Sequence, residues 1–121
     1  MASVLSEISV DCVNPMLLAR FWCEVLDFEV REEQVGLVSI GAPEGNSGAI
    51  VMTFAQVPEP KSIKNRLHLD VRPFGTEQQQ EVDRLLSLGA SYADVGQDED
   101  VSWVVLADPE GNEFCVLSGN S

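Results

Sequence analysis

Polar and apolar residues alternate along Val4–Cys12, so that Ile8, Val10 and Cys12 share one face of a strand and Glu7, Ser9 and Asp11 the other. The period then changes. Leu17, Leu18, Phe21, Trp22 and Val25 recur at helical spacing behind Asn14, a capping side chain, and Pro15, whose missing N–H costs nothing in a first turn. This pattern predicts a helix over 15–26. Short strands are expected over 28–30 and 35–41, split by the charged turn Arg31-Glu32-Glu33-Gln34. The breakers of Gly41–Gly48 mark a loop before a β-rich run, Ala49–Gln56.

About sixty residues further on, the same order of elements returns. Arg66–Val71 alternates, with Leu67, Leu69 and Val71 on one side and Arg66, His68 and Asp70 on the other. Thr76 with Gln79 fits a capping box, Val82, Leu85 and Leu86 form an apolar stripe, and Gly89 stands where a left-handed stop belongs, which predicts a helix over 76–88. Strands are expected near Tyr92, over Val101–Ala107 and over Glu113–Leu117, with Asp108–Asn112 as a turn. Pro58 and Pro60 disfavour both helix and central strand and mark a linker.

The expected architecture is therefore one α+β domain over 1–121, a tandem duplication with β-α-β-β-β module one at 1–56, a linker at 57–63 and module two at 64–118. Two curled mixed sheets would enclose a central cavity, with the helices outside. Ile50, Met52 and Phe54 share one face of the fourth strand, and with Trp103 they would supply an apolar lining, the usual wall of a small-molecule site. Ordinary core is the alternative for all four.

Composition narrows the choice of partner. A chain of 121 residues buries roughly two thirds of its unfolded surface and needs no metal or disulfide merely to fold. Twenty acidic side chains against seven Lys and Arg leave a net charge of −13, which repels phosphate backbones and anionic bilayers, so neither nucleic acid nor a membrane is an expected partner. No apolar run is long enough to span a bilayer, and no apolar leader points to export. Cys12, Cys23 and Cys115 are an odd set without close metal-ligand spacing, which suggests reduced thiols in a cytoplasmic protein. The acidic cluster Asp98-Glu99-Asp100 is expected in a solvated loop.

Three segments carry a resemblance. Asn14-Pro15 with Phe21-Trp22, Lys64-Asn65-Arg66-Leu67-His68-Leu69-Asp70, and Asp108-Pro109-Glu110-Gly111-Asn112-Glu113-Phe114 together resemble the glyoxalase, bleomycin-resistance and extradiol-dioxygenase group, the vicinal oxygen chelate superfamily. They look most similar to its glyoxalase-like domain subgroup. The resemblance implies paired β-α-β-β-β modules around a cavity and, in the enzymes, a divalent metal held by His, Gln or Glu. Carried over, its ligand positions fall on Glu7, Met52, His68 and Cys115. Two of the four depart from the pattern, because a thioether cannot replace a carboxylate on a hard cation and a thiol suits zinc instead.

The chemistry remains open among several roles. His68 is the single histidine, and it suits a metal ligand, a general base or a hydrogen-bonded cavity residue. Glu7 suits a ligand or a hydrated rim carboxylate. Cys115 suits a cavity wall, a thiolate ligand or a nucleophile paired with His68. Asp70 can receive the His68 proton, anchor a ligand, or pair with Arg66 or Arg72. Lys61, Lys64 and Arg66 form a local cationic group able to attract a carboxylate or phosphate. The leading expectation is a small-molecule-binding protein with an apolar cavity edged by Glu7, His68, Asp70 and Cys115, its reaction and cofactor unassigned. The alternatives are a metal-dependent lyase, isomerase or dioxygenase acting on a small oxygenated substrate, and a drug-sequestering protein of the bleomycin-resistance type. A homodimer is the expected assembly.

Overall fold

Ten elements follow in chain order: β1 (Glu7–Cys12), α1 (Pro15–Leu26), β2 (Glu29–Gln34), β3 (Leu37–Gly41), β4 (Val51–Gln56), β5 (Leu69–Val71), α2 (Gln78–Leu88), β6 (Ser91–Tyr92), β7 (Val104–Ala107) and β8 (Glu113–Val116). They come from a computed structural model that describes residues 1–43, 50–97 and 100–119. The chain divides into two compact units, Met1–Pro60 and Lys61–Ser121. Each unit is one β-α-β-β-β module with a four-stranded mixed sheet, so the duplicated α+β architecture is present.

In the first unit the sheet order is β1-β4-β3-β2, with β1 parallel to β4 and the remaining pairs antiparallel. The Asn14 side chain caps α1 by accepting from the Leu17 amide at 3.1 Å. Helix α1 lies against β3 and β4, and its stripe of Leu18, Phe21, Trp22 and Val25 is buried together with Val38, Ile40, Met52 and Phe54. Phe21 and Trp22 meet edge to face at 5.3 Å. The opposite face is polar. Ser9, Thr53 and Ser39 stand side by side across three strands, and the two buried hydroxyls of Ser39 and Thr53 satisfy each other at 2.8 Å.

The charged run Arg31–Gln34, expected as a turn, is strand instead. Every residue of β2 is exposed, so an edge strand wetted on both faces carries no apolar alternation to announce it. The turn falls at Val35-Gly36, where Gly36 adopts φ +77°, a conformation that side-chain-bearing residues rarely take. A bulge at Arg31 shifts the β2–β3 register, and the Arg31 guanidinium donates to the Ala42 carbonyl. The first strand begins at Glu7 and the fourth at Val51, with Ile50 exposed ahead of it. Most of the Gly41–Gly48 loop, and Ala49, lie outside the described residues, as do Asp98 and Glu99.

The second unit repeats the order, β5-β8-β7-β6, with β5 parallel to β8. Phe114, Val116, Leu106, Val82 and Leu85 are its fully buried core, each large side chain contributing about 1.5–3 kcal/mol on burial. Helix α2 starts two residues later than expected. Its capping residue is Glu77 rather than Thr76, and the Gln80 side chain accepts from the Glu77 amide at 3.2 Å. Gln78 ties the helix to the sheet by donating to the carbonyls of Val116 at 3.0 Å and Ser102 at 2.9 Å. Gly89, at φ +119°, stops it.

Strand β5 is half the expected length and starts at Leu69, because the backbone before it is held by side chains rather than by a ladder. The Asn65 amide donates to Glu113 at 3.1 Å, its side chain donates to Asn112 at 3.0 Å, and Leu67 is left 91% exposed. Likewise β7 begins at Val104, not Val101.

The turn between β7 and β8 is built on one carboxylate. Asp108 is 3% exposed, and it accepts from the Glu110 amide at 2.9 Å, the Asn112 amide at 3.0 Å and the Asn112 side chain at 3.0–3.1 Å. Truncation in Asp108→Ala leaves those donors without their charged acceptor, and urea unfolding should show a loss of about 3 kcal/mol. A loss below about 1 kcal/mol would contradict this role.

Candidate functional site

The pairing of β5 with β8 sets Asp70 directly opposite Cys115, and that of β7 with β8 sets Val105 on the other flank of Cys115. Alternation turns Phe114 and Val116 into the core, so Cys115 points to the other side of the sheet. His68, two residues before Asp70, shares that side. The imidazole Nδ1 lies 3.1 Å from Asp70 Oδ1 and 3.8 Å from the Cys115 Sγ. One ligand-type atom from each of the three side chains falls within 4.8 Å of the others.

This wall belongs to a cleft of about 450 Å³ whose described lining residues all belong to the second unit. Val95, Trp103, Val105 and Leu117 make it largely apolar, while Lys64, His68, Asp70, Glu113 and Cys115 supply its polar groups. Gly96 and Gln97 also line it. Val105, Glu113 and Leu117 were not singled out from the sequence, although Glu113 and Leu117 stand two residues either side of Cys115 and share its face by parity. Val95, Gly96 and Gln97 come from the loop after β6, which offers no period to read.

Electrostatics separates a working group from a structural one. Burial pushes the Cys115 thiol up, and the neighbouring Asp70 carboxylate raises it further by its charge and by accepting a hydrogen bond, against a smaller opposite pull from Lys64. The thiol is therefore neutral at pH 7 and not an activated nucleophile. Burial also pushes Glu113 up, but the Asn65 amide, its own backbone amide and the Lys61 ammonium outweigh it and hold the carboxyl below the usual range. Lys61 lies 3.1 Å from Glu113. That carboxylate is committed to fastening the β5 approach to β8.

Of the residues expected at one site, His68, Asp70, Trp103 and Cys115 line this cleft. Glu7, Met52 and Phe54 belong to the first unit. Glu7 is exposed and accepts from the Ser9 hydroxyl at 3.4 Å. Met52 and Phe54 do not share a wall with it, because Met52 pairs with Ile8 and Phe54 with Val10, on the face buried with α1. At 3% and 0% exposure both are core residues. Period two places residues 50, 52 and 54 on one face but does not say which face meets the helix.

The same register tests the metal set that the resemblance implies. Glu7 and Met52 project from opposite faces of one sheet, so the four carried-over positions do not form a single ligand set. His68, Asp70 and Cys115 do converge, and an imidazole, a carboxylate and a thiolate are donors that suit a borderline cation such as zinc.

Two β-α-β-β-β units, each with a mixed four-stranded sheet, define the vicinal oxygen chelate class of fold. Residues 7–117 match the family model described as a glyoxalase-like domain, and the chain belongs to that family. Solved structures share the architecture at low identity. A glyoxalase/bleomycin resistance protein/dioxygenase family enzyme from Burkholderia phytofirmans is 19% identical, with 94% of this chain and 97% of that chain covered at a TM-score of 0.65. The fosfomycin resistance protein FosX from Listeria monocytogenes, complexed with Mn(II) and sulfate, is 14% identical over 98% of this chain and 92% of its own, with a TM-score of 0.73. FosX from Mesorhizobium loti is 14% identical over 100% and 94%, with a TM-score of 0.69. Among curated proteins there is no match. Among the described residues no helix is long and apolar enough to cross a membrane.

The raised thiol gives a pH test with a definite sign. Because the folded value lies above the ordinary one of about 8.5, the associated stability is fully present below that pH and is lost as pH rises through the folded value. Alkylation of Cys115 in the native protein should go on accelerating with pH beyond about 8.5, where an ordinary thiol begins to level off, and Asp70→Asn should speed it at fixed pH, with mass mapping to locate the adduct. Rates that level off below pH 8, or slow in Asp70→Asn, would contradict the assigned causes.

Proposed function

We propose that the protein is a small-molecule-binding member of the glyoxalase-like family whose ligand sits in the second-unit cleft. The observation that supports this most is the convergence of His68, Asp70 and Cys115 on the wall of a largely apolar cleft of about 450 Å³. That volume falls within the roughly 300–1,000 Å³ of small-molecule sites, which also pair apolar walls with a few polar groups. Trp103 and Leu117 would desolvate the body of the ligand, Lys64 would meet an anionic group, and Cys115 would act as a small neutral wall residue. The bond of Nδ1 to Asp70 orients the ring and leaves Nε2 as the nitrogen able to exchange a proton with a ligand oxygen. Glu7 is then a hydrated surface carboxylate of the first unit rather than a contact.

The His68–Asp70 pair also supports a second reading, lyase, isomerase or dioxygenase chemistry on a small oxygenated substrate, since a positioned imidazole is the commonest proton carrier near neutral pH. Sequestration of a drug needs the same cleft without the proton transfer. A metal, if one takes part, would be held by His68, Asp70 and Cys115 and would polarise a ligand oxygen. The fosfomycin resistance neighbours make phosphonates a rational first set of compounds. We place the protein in the cytoplasm, in keeping with an odd set of three cysteines, and as a homodimer. Ile63, Leu67 and Phe74, 78–100% exposed on either side of β5, offer apolar surface for a second copy. Equilibrium sedimentation giving a monomer at micromolar concentration would remove the dimer.

A thermal-shift screen of phosphonates, carboxylates and aromatic compounds checks the function. A true ligand at a hundred times its Kd should stabilise the fold by about 2.7 kcal/mol. His68→Ala should weaken that binding by roughly tenfold, the worth of one charge-assisted bond, without lowering the ligand-free midpoint. Under the enzymatic reading product also forms and disappears in His68→Ala; under sequestration none forms. A screen without any shift, or a ligand indifferent to His68→Ala, would overturn the assignment of this cleft.

A further inference from the structure

We infer that Lys64 selects the ligand of the second-unit cleft, that the class it selects is a singly charged carboxylate on a flat apolar body, and that Lys61 keeps Lys64 available for it. This deepens the reading of the cleft as the ligand site and rests on it. The first argument is the unequal company of the two lysines. Lys61 lies 3.1 and 3.2 Å from the two carboxylate oxygens of Glu113, so its charge is taken up inside the protein. Lys64 donates to the neutral Asn65 carbonyl at 3.3 Å, and among the described residues it has no carboxylate partner. In a chain of net charge −13, a cation left over at a cleft wall is the natural counterion for an anionic ligand.

The second argument is positioning. The segment before β5 has no helix or strand to direct it, so side-chain bonds set its course. Glu113 holds it at two points, pairing with Lys61 and accepting from the Asn65 amide at 3.1 Å. The Asn65 side chain donates to Asn112 at 3.0 Å, and Asn112 is fastened in turn by the buried Asp108 carboxylate. Lys64 stands between these two anchored residues and lines the cleft with Cys115, whose thiol feels its positive charge. Lys61 has a further effect. By neutralising Glu113, which also lines the cleft, it prevents that carboxylate from capturing Lys64.

The charge balance then defines the class. One ammonium is on offer, while the carboxylates of Asp70 and Glu113 share the same lining. A ligand carboxylate brings one negative charge to that one ammonium. A phosphoryl dianion would bring a second charge with no cation to meet it, and the described lining holds no arginine fork of the kind that grips phosphate. For the body, Trp103 keeps 40% of its surface exposed beside Val105 and Leu117, which suits a flat ring that stacks and is desolvated.

Three probes that share one body test the inference at about pH 8: naphthylacetate, the neutral naphthylacetamide, and naphthyl phosphate, doubly charged there because its second pKa is about 6. Binding is followed through the ring signals of His68, the single histidine of the chain. The acid should bind at least about tenfold tighter than the amide, the scale of one charge-assisted bond, and tighter than the phosphate. Lys64→Gln should bring acid and amide within about twofold of each other. Lys61→Gln should lower the acid-to-amide ratio at least about threefold by releasing Glu113 onto Lys64, and adding Glu113→Gln should restore the ratio, a rescue that a merely structural clamp would not give. An amide or phosphate that binds as well as the acid, a preference that survives Lys64→Gln, or a double variant no better than Lys61→Gln alone would overturn the assignment while leaving the cleft as the ligand site. Unmoved His68 signals with all three probes, beside a ligand from the thermal-shift screen that depends on His68, would overturn this inference alone. A blank in both experiments removes the cleft as well.

Discussion

Parallel pairing of β5 with β8, in the register that sets Asp70 against Cys115, is the constraint on which the site depends. A parallel pair cannot be closed by a tight turn, so the chain must travel through α2, β6 and β7 before returning. That detour brings the loop after β6, Trp103 and Val105 around the same wall. A slip of one residue in β8 would send Cys115 into the core and expose Phe114 and Val116, which are 1% and 0% exposed. The apolar residues that guard the fold therefore also fix the position of the reactive ones.

Polar side chains hold the register at its two weak points. Strand β5 has only three residues and lies at a sheet edge, too little ladder to define itself. Glu113 supplies the missing anchorage through Asn65 and Lys61, and Leu117 extends the pairing by donating its amide to Val71 at 2.7 Å. Asp108 delivers β8 into place by closing the turn that precedes it. Three acidic residues of the second unit thus have separate duties: Asp108 shapes the turn, Glu113 fastens and Asp70 orients.

Much of the fold is legible in the sequence, and the reasons are specific. Helix α1 runs over the expected Pro15–Leu26 because its stripe, its Asn14 cap and its first-turn proline agree. The duplication is visible because the same alternation and helical spacing occur twice. Strand β2 is not visible, since a polar edge strand exposed on both faces looks like a charged turn. The shortening of β5 is also hidden, because Arg66–Val71 alternates perfectly well but its first half bonds to side chains far along the chain. For the site, alternation brings His68, Asp70 and Cys115 to one side, yet which face of β4 meets α1 depends on pairing, and that decides against Met52 and Phe54 as wall residues. Side-chain type suggested chemistry; only register decided which types meet.

The central claim is that the single imidazole of the chain stands against Cys115 and Asp70 rather than in free solvent. Nuclear Overhauser spectroscopy on protein labelled only in the histidine ring measures this directly, since one histidine gives one set of ring signals. The account predicts cross-peaks from the ring of His68 to the β-protons of Cys115 and of Asp70. A ring without those cross-peaks, with the shifts of a free histidine, would contradict it.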